Sequence, residues 1–459
     1  MTNGNAYHLV GIGGIGMSAI ARLLLARGMR VTGSDMKRTA LVAELEREGA
    51  VVTIGHRAEN VGAVDGLVVS SAIAHANPEY TTAVARGIPI VTRGQMLAQL
   101  IGEKPTVAIA GTHGKTTTTA MVATILEYAG SDPTVAVGGE RIDSGTNARI
   151  GLGEWFVTES DESDGSFLHL SPTIAVVTNI ENDHIASNAE LPRLTGEFAA
   201  FLAKLPKDGH AVVGIDNALS ATLIANVPGA ITTFSTRTDA DLRAKEIAYA
   251  KLGSTFTLVE RGRTLGSVTL NVPGEINVLN ALAAIGVARA AGIGFDTIAG
   301  ALAEFHGVRR RFEIVGRSAA LTIVDDYAHH PTAIRQTIAA ARNIASTVIV
   351  AFQPHRYTRT AYLAADFADA LAHADHVYLT PVYAAAEAPI PGVSERTIGE
   401  PLGARGIPVT YVESVEALID LIPATAPAGA LVLMLGAGSI SGVAHTLGTA
   451  IATAPVAVR

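Results

Sequence analysis

The run Gly111-Thr112-His113-Gly114-Lys115-Thr116-Thr117-Thr118 follows an apolar stretch of strand length and opens a helical pattern. In such a turn the glycines let backbone N–H groups approach phosphate oxygens, and the helix N-terminus adds its dipole. Lys115 would supply a point charge and the hydroxyl of Thr116 a ligand for Mg²⁺, the division of labour of a nucleotide-binding loop. Only two residues separate Gly111 from Gly114, so the loop is shorter than the common G-x-x-x-x-G-K-[ST] pattern. A turn that merely caps a helix would use the glycines, but it has no need of a lysine followed by threonines.

A second glycine turn, Gly11-Ile12-Gly13-Gly14-Ile15-Gly16, lies between an apolar run and a helical pattern, with Asp35 ending the next strand-like run. That spacing suits a diphosphate-bearing ligand, with an acidic residue about 20 positions on to meet a ribose hydroxyl. The pyrophosphates of a nicotinamide dinucleotide and of a UDP-sugar present the same charge to such a loop. A βα turn that only packs helix on strand selects glycine as well.

Glu159, Asp161, Glu162 and Asp164 crowd the end of a third strand-like run, Phe156-Val157-Thr158-Glu159. In an open parallel sheet ligands bind outside the carboxyl ends of strands, where Lys115 and Thr116 would also lie. One of these carboxylates, with Glu159 the choice, would therefore complete a magnesium site on ATP. His184, after the run Ala175-Val176-Val177-Thr178, would stand at the same edge as a ligand of a second Mg²⁺ or a partner of a phosphoryl oxygen. Two further polar clusters each follow a strand-like run: Asp325-Asp326-Tyr327-Ala328-His329-His330-Pro331 and Gln353-Pro354-His355-Arg356-Tyr357-Thr358-Arg359. Arg356 and Arg359 suit carboxylate or phosphate recognition, since a guanidinium makes bidentate contacts and keeps its charge.

The elements that must carry these groups are strand-length runs of Val, Ile, Leu and Ala alternating with helical patterns from end to end. That alternation predicts an α/β fold with parallel sheets covered by helices. The 459 residues divide into three expected domains. They are a Rossmann-like N-terminal domain (1–104), a central P-loop ATPase-type domain (105–315) and a Rossmann-like C-terminal α/β domain (316–459). The chain has no Cys, which excludes disulfides, Cys-ligated metals and a thiol nucleophile. Its net charge of −8, with Lys and Arg scattered, argues against nucleic-acid binding. Arg22 and Arg27 interrupt the first long apolar run, so neither a membrane span nor a signal segment is expected, and a cytoplasmic setting fits.

Together these motifs resemble the Mur ligase family over almost the whole chain. The resemblance is carried by both glycine turns and by Gly33-Ser34-Asp35, Ser70-Ser71-Ala72-Ile73, Glu159 to Asp164 and Asn179-Ile180-Glu181. Further along it rests on Asn277-Val278-Leu279-Asn280, Arg310-Arg311-Phe312, Asp325 to Pro331, Phe352 to Thr360 and Glu387 to Pro391. It implies three domains for UDP-sugar, ATP and amino acid. It also implies an ATP-driven ligation in which a UDP-N-acetylmuramate carboxylate, activated as an acyl phosphate, receives the amine of L-alanine. Site residues follow by the same resemblance. Gly111, Thr112, His113, Gly114, Lys115, Thr116 and Thr117 would hold ATP phosphates, with Asn280 at adenine and Arg311 near the phosphates. Thr116, Glu159 and His184 would hold Mg²⁺. Gly13, Gly14, Ile15, Gly16, Met17, Ser34, Asp35 and Ser71 would take the UDP moiety, and Tyr327, His329, Arg356 and Arg359 the amino acid. Lys115, Glu159, His184 and His329 would carry the chemistry, in a monomer or homodimer.

This chain has Ile276 where the family commonly has His, and Ile185-Ala186-Ser187-Asn188 where an acidic residue and an aromatic usually follow His184. A nicotinamide-dependent oxidoreductase would leave Lys115, Thr116 and Glu159 without a task. A recycling ligase that attaches a ready-made peptide and a catalytically silent UDP-sugar binder are the nearer alternatives.

Overall fold

A computed structural model describes residues 5–162, 165–182, 190–250 and 252–453. The chain divides into two compact units. The first comprises Met1–Ile180, Arg193–Leu242 and Ala281–Ala301, and the second Glu181–Pro192, Arg243–Asn280 and Leu302–Arg459.

The first unit begins with a five-stranded parallel sheet in the order Val51–Ile54, Arg30–Asp35, Ala6–Val10, Gly66–Val69, Ile90–Thr92. Leu9, Val10, Leu67 and Val68 are fully enclosed, because helices cover a parallel sheet on both faces. The edge strand Val51–Ile54 buries none of its residues, which is why the hydrophobic pattern did not announce it. A second run of strands follows the order Ala230–Ser235, His210–Gly214, Ile174–Val177, Thr106–Ala110, Phe156–Glu159, Thr134–Ala136, Ala148–Arg149. Thr106–Ala110 lies between Ile174–Val177 and Phe156–Glu159, parallel to both, so the loops after these three strands open at one edge. The helix Lys115–Tyr128 behind that edge is buried on nearly every side, and its sequence accordingly shows little amphipathic contrast.

Under the first sheet, Glu79 is wholly buried, accepts the Ser34 hydroxyl at 2.6 Å, and lies 3.3 Å from His56 and 3.7 Å from His8. Burial raises its pKa, but the nearby His8 imidazole and hydrogen bonds from Ser34 and Asn60 outweigh burial and hold it at about 2, against 4.5 for a free glutamate. A carboxyl depressed in the folded state stabilises the fold above about pH 4.5, and that stability is lost as the pH falls toward about 2. Acid unfolding of the wild type should lose on the order of 2–3 kcal/mol over this window through Glu79 alone. The loss should be absent in Glu79→Gln, as read from urea melts at successive pH values.

The second unit is built on a six-stranded sheet ordered Glu313–Arg317, Leu321–Asp326, Ala430–Leu435, Val348–Phe352, His376–Leu379, Val409–Tyr411. All neighbours are parallel except the first pair. Alternate residues feed two cores: Val324, Val350, Phe352 and Leu433 on one face, Ile323, Ala351, Val432 and Met434 on the other. By the same alternation Asp325 and Asp326, at the end of one strand, project to opposite faces. The expected boundary at 315 falls inside Glu313–Arg317, which belongs to this sheet as an antiparallel edge strand. Its short, polar-ended sequence carries too little periodicity to show that pairing. The antiparallel pair Gly253–Glu260 and Arg263–Leu270 lies beside Leu242–Ala250 in the same unit.

Candidate active site

Gly111 takes φ 130°, and a Cβ there would meet the Thr178 hydroxyl oxygen at 2.0 Å, so only glycine fits where the loop passes the neighbouring strand end. The next residues are laced to that strand. The amide of Thr112 donates to the Asn179 carbonyl at 3.0 Å, and that of His113 to the Asn179 side chain at 2.9 Å. Thr178 returns its hydroxyl to the His113 carbonyl at 2.7 Å. Gly114, at φ 85°, turns the chain into the helix without a side-chain cap, as a phosphate-binding helix start requires. Thr116 and Thr117 are buried in its first turn.

Lys115 reaches back over this loop, its Nζ donating to the Gly111 carbonyl at 2.6 Å and pairing with Glu162 at 2.8 Å. Burial opposes its charge, but Glu162, Asp161 and Glu159 outweigh burial and push its pKa further up, so it is a fixed cation. The acidic run thereby divides its labour. Glu162 holds Lys115, Asp161 lies 3.7 Å from Arg93, and Glu159 accepts the Thr116 hydroxyl at 2.8 Å. Glu159 owes its position to Gly138 on the adjoining segment, whose missing Cβ would stand 1.6 Å from Oε1. A hydroxyl and a carboxylate brought together in this way form an oxygen donor pair of the type a hard cation such as Mg²⁺ takes. Asp164 and His184 lie outside the described residues.

The first glycine turn is organised from its own sheet. Gly11, at φ 75°, and Ile12 donate their amides to the Ser34 carbonyl at 2.8 and 3.0 Å. Asp35 accepts the Gly13 amide at 2.9 Å and the Lys37 amide at 3.2 Å, so its carboxylate shapes the loop. A Cβ at Gly13 would stand 2.8 Å from Asp35 Oδ2. Gly14 and Ile15 are exposed at the tip, Gly16 lies against Arg93, Met17 is buried, and Ser71 is exposed on the loop after Gly66–Val69. The Ser34 hydroxyl is engaged by Glu79 beneath the surface. Asn147 donates to the Ile15 carbonyl at 2.6 Å and to Ser18 at 3.0 Å, and accepts from Arg22, tying the helix after the turn to the segment near Ala148–Arg149.

In the second unit the two polar clusters meet. The guanidinium groups of Arg310 and Arg311 lie 4.9 and 4.8 Å from the Tyr327 ring. His329 packs edge-on to Tyr327 and to His355, and His355 stacks on Tyr383 at 5.6 Å. His329 Nδ1 is 2.8 Å from the Tyr327 carbonyl, which can only accept, so Nδ1 carries a proton. Arg359, buried, donates to His355 at 3.3 Å, while Arg356 is exposed at φ 71°. Asp326 accepts the amides of Phe312 and Ala328, each at 2.7 Å; burial pushes its carboxyl up, against the pull of Arg311. Asn280, buried in the helix Glu275–Ala290, donates to Asn277 at 3.2 Å.

Sequence reasoning did not single out Asn179 as the loop's clamp, Glu162 as the partner of Lys115, Gly138 as the space for Glu159, or His355 and Tyr383 as neighbours of His329. The acidic run and the Thr178-Asn179 strand end were visible, but which carboxylate faces which cation depends on rotation about the strand end.

Three family models cover the chain in order: Mur ligase family, catalytic domain, over residues 6–105; Mur ligase middle domain over 109–288; and Mur ligase, glutamate ligase domain, over 310–438. The UDP-N-acetylmuramate–L-alanine ligase of Acidithiobacillus ferrooxidans is 47% identical over 444 residues, covering 95% of this chain and 96% of that protein. That of Geotalea uraniireducens is 45% identical over 442 residues, covering 96% of each. Among solved structures, the UDP-N-acetylmuramate-alanine ligase of Thermotoga maritima superposes with a TM-score of 0.84 at 30% identity, covering 96% of this chain and 98% of that one. A murein peptide ligase of Psychrobacter arcticus gives 0.76 at 26% identity, covering 99% and 100%. With all three domains matched in order and relatives this similar along nearly its full length, the chain belongs to the Mur ligase family.

Proposed function

We propose that the chain is an ATP-dependent ligase that joins L-alanine to the carboxylate of UDP-N-acetylmuramate, forming an amide, ADP and phosphate in peptidoglycan precursor synthesis. The observation that carries this reading is the convergence of Lys115, Thr116 and Glu159 on one loop, in a chain 47% identical to a UDP-N-acetylmuramate–L-alanine ligase. A carboxylate is a poor electrophile, and its charge repels the γ-phosphoryl group. Phosphoryl transfer to a carboxylate oxygen yields an acyl phosphate and ADP. The amine then attacks the acyl carbon, loses a proton, and expels phosphate as the C–O bond breaks.

The loop amides from Gly111 to Thr117 bind the phosphates, and Lys115 offsets the charge that builds on the transferred group. Thr116 and Glu159, with His184, are the residues that would hold Mg²⁺, which supplies Lewis-acid neutralisation of phosphoryl charge when bound. Asn280 contacts adenine and Arg311 the phosphates. The turn from Gly13 to Met17, with Ser71, holds the UDP moiety, while Ser34 acts through its carbonyl on the Gly11 and Ile12 amides and Asp35 through the Gly13 amide. Tyr327, Arg356 and Arg359 hold the alanine carboxylate end, and His329 stands beside them as the candidate acceptor of the amine proton. No helix among the described residues is long and apolar enough to cross a membrane. We place the reaction in the cytoplasm, where ATP is supplied, and the enzyme acts as a monomer or homodimer.

The test follows phosphate release from ATP with UDP-N-acetylmuramate alone, with added L-alanine, and with an added tripeptide. Turnover that requires L-alanine supports the reading. Preference for the tripeptide would assign peptide recycling, and no turnover in any arm would leave a UDP-sugar binder.

A further inference from the structure

The residues from Glu313 to His445 include a cluster that the ligase chemistry does not use. Glu313 opens the edge strand of the second unit's sheet, and its register partner on the next strand is Asp325. Two carboxylates directly opposite each other on one sheet face repel, a cost that the Arg309 guanidinium beside Glu313 offsets from one side. His445, on the helix Ile440–Thr453, lies over the pair with Nε2 at 3.5 Å from Asp325 Oδ2 and 3.9 Å from Glu313 Oε2. The three ligand atoms lie within 4.8 Å of one another. Asp325 is completely buried, and its Oδ1 has no hydrogen-bond partner among the described residues.

We propose that Glu313, Asp325 and His445 bind one divalent cation of the zinc class, a structural site distinct from the Mg²⁺ ligands of the nucleotide loop. One imidazole and two carboxylates are a donor set that suits zinc better than magnesium, which takes oxygen alone. Ligands about 2.0–2.2 Å from a tetrahedral ion stand roughly 3.3–3.5 Å apart, so the observed spacing closes with small side-chain movements. His445 is 44% exposed, which leaves a path for the ion and for a water in the fourth position.

Rigid backbone sets the frame. A Cβ on Gly316 would meet Gly448 Cα at 2.4 Å, and one on Gly448 would meet the Val315 carbonyl oxygen at 2.5 Å, so helix and edge strand touch one turn beyond His445. Arg309 pairs with Glu313 through the other carboxylate oxygen, Oε1, at 3.1 Å, and the Arg310 amide donates to Oε2 at 2.9 Å. Ser441 donates to Asp325 Oδ2 and orients the buried carboxylate. The ion would staple the last helix to the sheet edge, stabilising the folded state by mass action.

The test is calorimetric titration of the full-length protein with zinc chloride in saturating Mg²⁺, paired with thermal melts. One equivalent should bind to the wild type and raise its Tm. That equivalent should vanish in His445→Ala, a half-exposed position whose truncation leaves the core intact, weaken by roughly 10-fold or more in Glu313→Gln, and persist in Glu159→Gln. Equal uptake by wild type and His445→Ala would overturn the proposal. So would the absence of zinc binding to the wild type, which would leave a protonated imidazole as the cation between the two acids.

Discussion

Replacing Lys115 with alanine should lower kcat by about three orders of magnitude while leaving the affinity for UDP-N-acetylmuramate nearly unchanged. The ammonium is locked over the loop by the Gly111 carbonyl and by Glu162 at 2.8 Å, and its charge is secured by three neighbouring carboxylates. On the proposed assignment its removal deletes a preorganised cation from the point where phosphoryl charge develops, a loss that no mobile water or buffer cation makes good at the same geometry. The uridine end is assigned to a turn on a different sheet, held by Ser34 and Asp35, so the two effects should separate. Single-turnover phosphate release gives the first quantity, and calorimetry with the UDP-sugar gives the second. Equal loss of both would contradict the assignment of two sites. Glu162→Gln should give a smaller defect of the same kind, since it leaves Lys115 in place but removes the charge that steers it.

The second large effect is expected from a single methyl group. Gly138→Ala places a Cβ 1.6 Å from Glu159 Oε1 and 2.4 Å from its carboxyl carbon. The obstructed atoms are the end of a flexible side chain, so the fold relieves the clash cheaply by turning the carboxylate away. Stability should therefore change by no more than about 1 kcal/mol, whereas the Thr116–Glu159 pair should be broken. The expected result is a fall in kcat of roughly 100-fold and a rise in the Mg²⁺ concentration needed for half-maximal rate, with Tm close to that of the wild type. An unchanged magnesium dependence would show that Glu159 is not where the metal is held.

Legibility in the sequence followed burial. Thr106–Ala110, Leu321–Asp326 and Ala430–Leu435 are interior strands; Ala430–Leu435 is apolar throughout, Thr106–Ala110 is apolar after its first residue, and Leu321–Asp326 is mostly apolar up to its two terminal aspartates. Val51–Ile54 and Glu313–Arg317 are edge strands, and their pairing is invisible without the partner. The phosphate loop was legible for a local reason: glycine spacing, lysine and threonine are all fixed within eight consecutive residues. The cluster around His329 could be read only as two separate motifs, because the contact of His329 with His355 joins the ends of two different strands.

The sequence by itself determined the α/β class, the order of three domains, the two glycine turns and the family, because each is encoded in short-range pattern or in similarity spread along the chain. Tertiary structure alone decided which acid serves which partner: Glu162 for Lys115, Glu159 for Thr116, Asp35 for the Gly13 amide, Asp325 for His445. Neighbouring carboxylates are chemically alike, and what separates them is the alternation of a strand and the backbone that packs against it, neither of which is set until the chain has folded.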